Sequence, residues 1–372
     1  MPSTVRRNRA GFCQSQVPLH ARSRVRRHRL AAALLAIATL AAACGGVAPA
    51  AQDGAAASGE LTLRLGYFPN VTHATAIVGI EEGFFEKSIE ADVNLETAPF
   101  NSGTEAVEAL FSGAIDATFA GPNPAINAWQ QSHGEAIRIV SGATSGGAFL
   151  VVREGIDSAE DLRGRTLSSP DLGNTQDVAL RSWLKDQGLE TTLEGEGDVS
   201  IFPQDNAQIL QTFRAGEIDG AWVPEPWAAR LIDEGGGRIL VDERELWADG
   251  EYVTTHLIVS TALLEEHPDV VKQLLEGVVT ANEFVNEKPD DAKVSVNDAI
   301  EALTGSRMAD ETMSTAWSNL HFTLDPIAPS LRESATDAVD VGLLEPVDLD
   351  GIYDLTLLND VLREAGLPGV SE

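Results

Sequence analysis

The chain has 372 residues, of which 57 are acidic and 26 basic, giving a formal net charge of −31 at pH 7. The imbalance is uneven: residues 1–43 hold eight arginines and no acidic residue, so the remainder carries 18 basic against 57 acidic side chains, a net charge of −39. Such a surface repels nucleic acid and anionic lipid headgroups. Cys13 and Cys44 are the only cysteines, so the chain beyond Cys44 holds no disulfide, thiol nucleophile or thiolate metal site.

The first segment reads as an address. Arg22 to Arg29 form a basic region, and Leu30 to Ala43 form an apolar run too short to span a bilayer. Leu40-Ala-Ala-Ala-Cys44-Gly-Gly follows and resembles a bacterial lipoprotein signal, which implies a lipidated Cys44 as the first mature residue. The leucine stands one place further from the cysteine than usual, and a plain signal peptide ending in Ala-Ala-Ala is the alternative. Arg26-Arg27 would also suit a twin-arginine export signal. Residues 45–59 are Ala, Gly, Ser and Pro-rich, the composition of a flexible tether. The roughly 310 residues that follow exceed what one core usually supports, so two lobes are expected.

Leu61 to Phe85, LTLRLGYFPNVTHATAIVGIEEGFF, reads as strand, loop and helix. Leu61, Leu63 and Leu65 alternate with Thr62, Arg64 and Gly66, the period of a half-buried strand. Thr72 is placed to cap a helix whose Ile77, Ile80 and Phe84 share one face. The loop between them holds Tyr67, Phe68, Pro69, Asn70 and Thr72, and such a loop is where open α/β sheets bind ligands.

The same order of signals appears twice, about 102 residues apart. Phe100-Asn-Ser-Gly leads into Glu105–Phe111, then Gly113-Ala-Ile-Asp116, an apolar strand 117–120 and Pro122-Asn-Pro124. Phe202-Pro-Gln-Asp leads into Ala207–Phe213, then Gly216-Glu-Ile-Asp219, an apolar strand 220–223 and Pro224-Glu-Pro226. Arg165–Ser169, Pro170–Thr175 and Gln176–Gln187 repeat the opening strand, loop and helix. A repeated βα unit implies two similar lobes with a cleft between equivalent loops.

Gly142–Gly147 and Tyr252–Ser260 read as the two segments that cross between lobes. The expected organisation is signal 1–43, tether 44–59, first part of lobe one 60–144, inserted lobe two 145–254 and a helical second part of lobe one 255–372. Helical patterns cover Pro268–Asn286, Pro289–Ala302, Asp310–Asn319, Pro329–Val341 and Thr356–Ala365 and are expected to complete lobe one.

No metalloprotease, nucleophile-elbow, Walker or dinucleotide motif is present. Among His73, His133, His256, His267 and His321 no two stand at metal-ligand spacing, so neither a catalytic group, a cofactor nor a metal is expected. Helix starts do converge: Thr72, the Gly121-Pro122-Asn123-Pro124 turn, Asn174-Thr175 and Pro226 each begin a helix whose first N–H groups are free. With hydroxyls from Thr72, Ser145, Ser169 and Thr175 they could hold a small oxyanion without lysine or arginine. His73 suits either a cap or a ligand contact. Trp222 fits a core strand and Trp227 an aromatic wall. Glu225 opposes an anion unless it points away or meets an ammonium.

LGYFPNVTHATAIVGIEEGFF, SSPDLGNTQDVALRSWL, GEIDGAWVPEPWAARL and DPIAPSL with GLLEPVDLDGIYDLTLLNDVL resemble the substrate-binding proteins of ABC transporters for nitrate, sulfonate and taurine. The resemblance runs from about Leu61 to Ala365. It implies an α/β fold of the type II periplasmic-binding kind: two Rossmann-like lobes, a central cleft and a two-segment hinge. It also implies a monomer at the outer face of the cell membrane, delivering its ligand to a permease and its ATPase, with sulfonate ranked slightly ahead of nitrate. The ligand-contacting set is then Phe68, Asn70, Thr72, His73, Gly121, Pro122, Asn123, Ser145, Ser169, Asn174, Thr175, Glu225 and Trp227. Two alternatives stay open. One is a pyrimidine-synthase-like enzyme of thiamine biosynthesis, against which the missing cysteine-rich segment and the export signal speak. The other is a sensor lipoprotein without transport.

Overall fold

The computed structural model describes residues 61–372; the signal and tether expected before them, Cys44 included, lie outside the described residues. Eleven strands form two sheets: β1 (Leu61–Tyr67), β2 (Val93–Pro99), β3 (Ala117–Ala120), β4 (Ile137–Gly146), β5 (Ala148–Val152), β6 (Thr166–Ser168), β7 (Ser200–Ile201), β8 (Gly220–Pro224), β9 (Arg238–Asp242), β10 (Val253–Ser260) and β11 (Leu320–His321). The first sheet has the order β11-β4-β10-β3-β1-β2 and the second β7-β6-β8-β5-β9. Leu63 and Leu65 are fully buried, as the alternation in β1 requires.

Each sheet contains a parallel trio, β2-β1-β3 and β7-β6-β8, flanked by antiparallel strands. In both trios the chain leaves the middle strand to one side and returns on the other, and that reversal of order opens a crevice at the strands' carboxyl ends. The two trios carry the same ties. The Asp116 carboxylate accepts the Arg64 amide at 2.9 Å, and the Asp116 amide returns to the Arg64 carbonyl at 2.9 Å. Asp219 and Thr166 repeat the exchange at 2.9 and 2.7 Å. The Gly-x-Ile-Asp turns therefore do one job twice: their aspartates fasten the start of the third strand to the middle strand.

Helices α1 (Ala74–Glu81), α2 (Phe84–Ser88), α3 (Gly103–Phe111) and α4 (Pro122–Gln131) belong to the first sheet, and α5 (Thr175–Asp186), α6 (Asn206–Ala215) and α7 (Trp227–Asp233) to the second. The opening helix begins later than Thr72. Val71–His73 forms a 3-10 turn first, because the Thr72 carbonyl accepts the Thr144 and Thr255 hydroxyls at 2.6 and 3.1 Å and is held onto β4 and β10.

The chain crosses between sheets at Gly146–Gly147, where φ is +80° and +76°, a conformation that glycine adopts without strain. It returns through Tyr252 into β10. Helices α8 (Thr261–Glu266), α9 (Pro268–Glu287), α10 (Pro289–Thr304), α11 (Asp310–Ser318), α12 (Ala328–Asp340) and α13 (Thr356–Ala365) follow, close to the helical patterns in the sequence. They do more than complete the first lobe: α9 packs on α1 and α2, whereas α11 packs on α7 and α12 on both α5 and α4. Thr312 donates to Asp233 at 2.7 Å and Lys185 to the Asp340 carbonyl at 2.8 Å, so this last third also grips the second lobe.

Because removing a half-buried carboxylate leaves the strand amide it held without its partner, we expect Asp116→Ala and Asp219→Ala each to lower unfolding free energy by about 1–3 kcal/mol. Lying in different sheets, the two losses should add. Urea titrations of the single and double variants measure both, and losses under about 0.5 kcal/mol at each site, within ordinary surface-substitution range, would show that the ties carry no weight.

Candidate functional site

The switch-point loops of the two sheets face one another across a chamber of about 40 Å³, room for about three waters or one small polyatomic ion. The first lobe contributes Phe68, Asn70, Thr72, His73, Asn101, Ser102, Gly103, Gly121, Pro124 and Thr254 to its wall, and the second Pro170, Asn174, Thr175, Gln176, Asn206 and Pro224. None of these side chains carries a formal charge unless His73 takes a proton.

His73 does not take one at neutral pH. It is buried, and desolvation pushes its pKa down to about 3. Its Nδ1 accepts the Phe68 amide at 3.3 Å, so the neutral ring carries its proton on Nε2 and displays a donor. Asn70 is fixed in the same way. Its Oδ1 accepts the Trp227 indole N–H from the other lobe at 2.9 Å, which leaves Nδ2 as the free end. Asn174 accepts the Asp177 amide at 2.9 Å as the N-cap of α5, again leaving an NH₂. Three side chains from two lobes thus have their acceptor atoms occupied by N–H groups and only donors to spare.

Four helix starts join them. Gly103 begins α3, Gly121 caps α4, Thr175 begins α5 and Asn206 begins α6, and all four residues line the chamber. Each such start favours an anion by about 0.3–1 kcal/mol. The lobes approach closely here: a Cβ on Gly121 would stand 2.5 Å from Thr175 Oγ1, so a side chain at 121 would wedge them apart.

Of the residues expected from the sequence, Phe68, Asn70, Thr72, His73, Gly121, Asn174 and Thr175 come together on the chamber wall, and Trp227 borders the groove outside it. Five others are engaged elsewhere. Ser169 donates to Asp177 at 2.7 Å, within a buried knot that also takes the Gly173 amide and the Arg181 guanidinium. Ser145 accepts the Tyr252 amide at 3.4 Å. Asn123 exchanges hydrogen bonds with Ser334, and Pro122 borders a separate crevice beside Ser334 and Tyr252.

Glu225 points away from the chamber. Its carboxylate accepts the Ala229 amide at 3.0 Å and the Asn319 side chain at 2.7 Å, so the start of α7 is used up on a protein carboxylate. Burial pushes the Glu225 pKa up to about 7 against the pull of those two donors.

The wall also contains Asn101, Ser102, Gly103, Pro170, Gln176, Asn206, Pro224 and Thr254, which a reading of single motifs passes over. The signal was in the repeat: Phe100-Asn-Ser-Gly and Phe202-Pro-Gln-Asp-Asn lead into equivalent helices, whose starts must face the cleft if those of α4 and α5 do.

Comparison with known proteins gives a consistent lineage. The taurine-binding periplasmic protein of Escherichia coli K12 is 29% identical over 201 residues, 54% of this chain and 60% of that protein. Among solved structures, the periplasmic nitrate-binding protein NrtA from Synechocystis PCC 6803 superposes with a TM-score of 0.67 at 16% identity, over 82% of this chain and 89% of that one. The alkanesulfonate-binding protein SsuA from Xanthomonas axonopodis pv. citri, solved with MOPS bound, gives 0.64 at 17%, over 77% and 94%. At those identities the structures show the shared fold, that of the two-lobed periplasmic binding proteins. The model of the NMT1-like family matches residues 56–298, and the chain belongs to that family.

Proposed function

We propose that this protein is the solute-binding component of an ABC importer and that it captures a small oxyanion group in the interlobe chamber. The observation that carries the reading is the chamber wall itself: donors from His73, Asn70 and Asn174 whose acceptor atoms are already taken, hydroxyls of Thr72 and Thr175, four helix starts, and no charged side chain. Hydrogen bonds to a charged group contribute about 1.5–3 kcal/mol each, so a handful suffices for binding without a salt bridge. Binding and release, not catalysis, is the role such a wall supports. Delivery to a permease and its ATPase, and anchoring through a lipid on Cys44, complete the proposal.

Capture proceeds by closure. The ligand meets the first-lobe loops, and the second lobe then brings Asn174 and Thr175 onto it while the Trp227 indole closes on Asn70. The segments around Gly146–Gly147 and Tyr252 serve as the hinge.

A thermal-shift comparison of nitrate, taurine, alkanesulfonates, bicarbonate and pyrimidines tests the reading. A ligand at 100 times its dissociation constant should add about 2.7 kcal/mol of stability. Shifts from cationic or neutral compounds alone would sink the oxyanion assignment. Asn70→Asp keeps an acceptor for the indole but replaces the chamber NH₂ with a negative charge, and should abolish anion binding while the fold is kept.

Trp227→Phe keeps the aromatic wall and removes one hydrogen bond of about 0.5–1.5 kcal/mol. It should weaken affinity up to about tenfold, chiefly through faster release in stopped-flow traces, and an unchanged off-rate would show that the bond from Trp227 to Asn70 does not hold the lobes closed.

The pH dependence follows from burial. The stability that neutral His73 contributes is complete above the ordinary imidazole value of 6.5, declines progressively as pH falls below it and is gone once pH has fallen through about 3. NMR of the His73 ring should therefore show no titration between pH 5 and 8, and a midpoint near 6.5 would contradict the neutral donor.

A further inference from the structure

Behind the chamber, Thr175 also borders the small crevice beside Ser334 and Tyr252. Its volume is about 10 Å³, room for about one water. Its wall spans the seam between the lobes: the second lobe supplies Thr175, Glu243 and Trp247, and α12 supplies Ser330, Ser334 and Asp337. Two carboxylates, one from the second lobe and one from α12, therefore share one small polar space.

Glu243 opens a 3-10 turn (Glu243–Leu246) after β9 and is 1% exposed. Its Oε2 accepts the Trp222 indole N–H at 2.6 Å and its Oε1 the Trp247 indole N–H at 3.4 Å. The Trp247 ring in turn stacks on Tyr252 with 5.4 Å between ring centres, so the carboxylate is braced against the residue through which the chain returns between sheets. Arg244, next in sequence, does not neutralise it, because its guanidinium is bound to Asp242 at 2.6 Å. The titratable groups around Glu243 are Asp242 beside it, Tyr252 and, across the crevice, Asp337. Behind Asp337 stand Glu333 and Asp340 of α12 and Asp186 of α5. Burial pushes the Glu243 pKa up to about 7 against the pull of the two indoles, and the charges of Asp337 and Asp242 add to the rise. Burial raises Asp337 as well, although Ser182 of α5 hydrogen-bonds to it. Glu225, the other buried glutamate beside the crossing, meets a donor across the seam, the Asn319 side chain at 2.7 Å, and a carboxyl oxygen accepts such a bond in either protonation state. Glu243 faces a second acid instead.

We propose that the crevice is a proton-operated catch on the hinge. With a proton on Glu243, a single charge remains at the seam and the lobes stay closed; with Glu243 and Asp337 both ionised, their repulsion parts the seam and admits water. Closure takes up a proton, because the open, wet crevice returns Glu243 toward its ordinary value of 4.5. By linkage, closure has its full gain below 4.5 and loses it as pH rises through about 7. This inference rests on the hinge closure proposed above and not on the kind of ligand that fills the chamber.

Small-angle X-ray scattering of the ligand-free full chain tests the catch: the radius of gyration should fall as pH is lowered from about 8.5 to about 5.5. Glu243→Gln keeps an acceptor for the Trp222 indole without the charge and should be compact at both ends of that range. Asp337→Asn, at a partly exposed position of α12, leaves the indoles untouched and should move the midpoint to lower pH, which keeps the test open should the first variant misfold. Glu225→Gln should keep the response of the unaltered chain. With methanesulfonate as probe, affinity should rise up to about tenfold per pH unit over the same range, and calorimetry in buffers of different ionisation enthalpy should show uptake of up to about one proton. A pH response that survives Glu243→Gln, or that disappears in Glu225→Gln, would overturn the catch. Compaction by methanesulfonate without any pH response would overturn the catch and uphold closure, and a radius indifferent to both would overturn both.

Discussion

Everything at the cleft depends on how Tyr252 ties together the two strands that cross between sheets. Its carbonyl accepts the Gly146 amide at 3.2 Å and its hydroxyl accepts the Ala148 amide at 3.0 Å. The outgoing strand is thus stapled, on both sides of Gly147, to the residue through which the chain returns. Two covalent crossings bound side by side form one axis, and in the closure proposed above the lobes would swing about it without sliding. Sliding would destroy the register that sets Thr175 against Gly121 and Trp227 against Asn70. A swing preserves it, because the strands that carry the loops are held together within each sheet by the paired ties of Asp116 and Asp219.

A protein with net charge −39 beyond its first 43 residues repels anions at long range. In the oxyanion reading proposed above, the chamber meets that difficulty with partial charges in place of whole ones. An arginine there would have attracted the many surface carboxylates as well as the ligand, and would have cost several kcal/mol to bury unpaired. Amides, hydroxyls, a neutral imidazole and helix ends cost far less to desolvate and act only over a few ångströms. Discrimination by such groups is a matter of geometry, and it is screened little by salt.

Much of this was legible in the sequence, and the illegible part has a common cause. Strand β1, the helices from Pro268 onward and the doubling of the βα unit are properties of local periodicity, turn residues and glycine stops, and the chain displays them. Side-chain partnership is not local. Ser169, Ser145 and Glu225 have the right chemistry beside the right loops, yet Ser169 is taken by Asp177 eight residues on, Ser145 by the Tyr252 amide, and Glu225 by Ala229 and Asn319. A donor or acceptor in a loop reaches a ligand only if no buried protein group claims it first. Conversely, Asn206 and Asn101 look like ordinary helix-entry residues until the second lobe is placed opposite the first.

The contact between the Trp227 indole and Asn70 has a temporal meaning. In the closure proposed above, parting the lobes would remove the indole bond that fixes the Asn70 amide, and either its oxygen or its nitrogen could then turn toward whatever occupies the loop. When the indole arrives it selects the rotamer with NH₂ facing inward. A molecule that needed the oxygen would be left facing the wrong group at the moment the cleft shuts. In that scheme the first encounter would be permissive and the second exacting, so that unsuitable solutes would be sorted out by how briefly they stay, not by how rarely they enter.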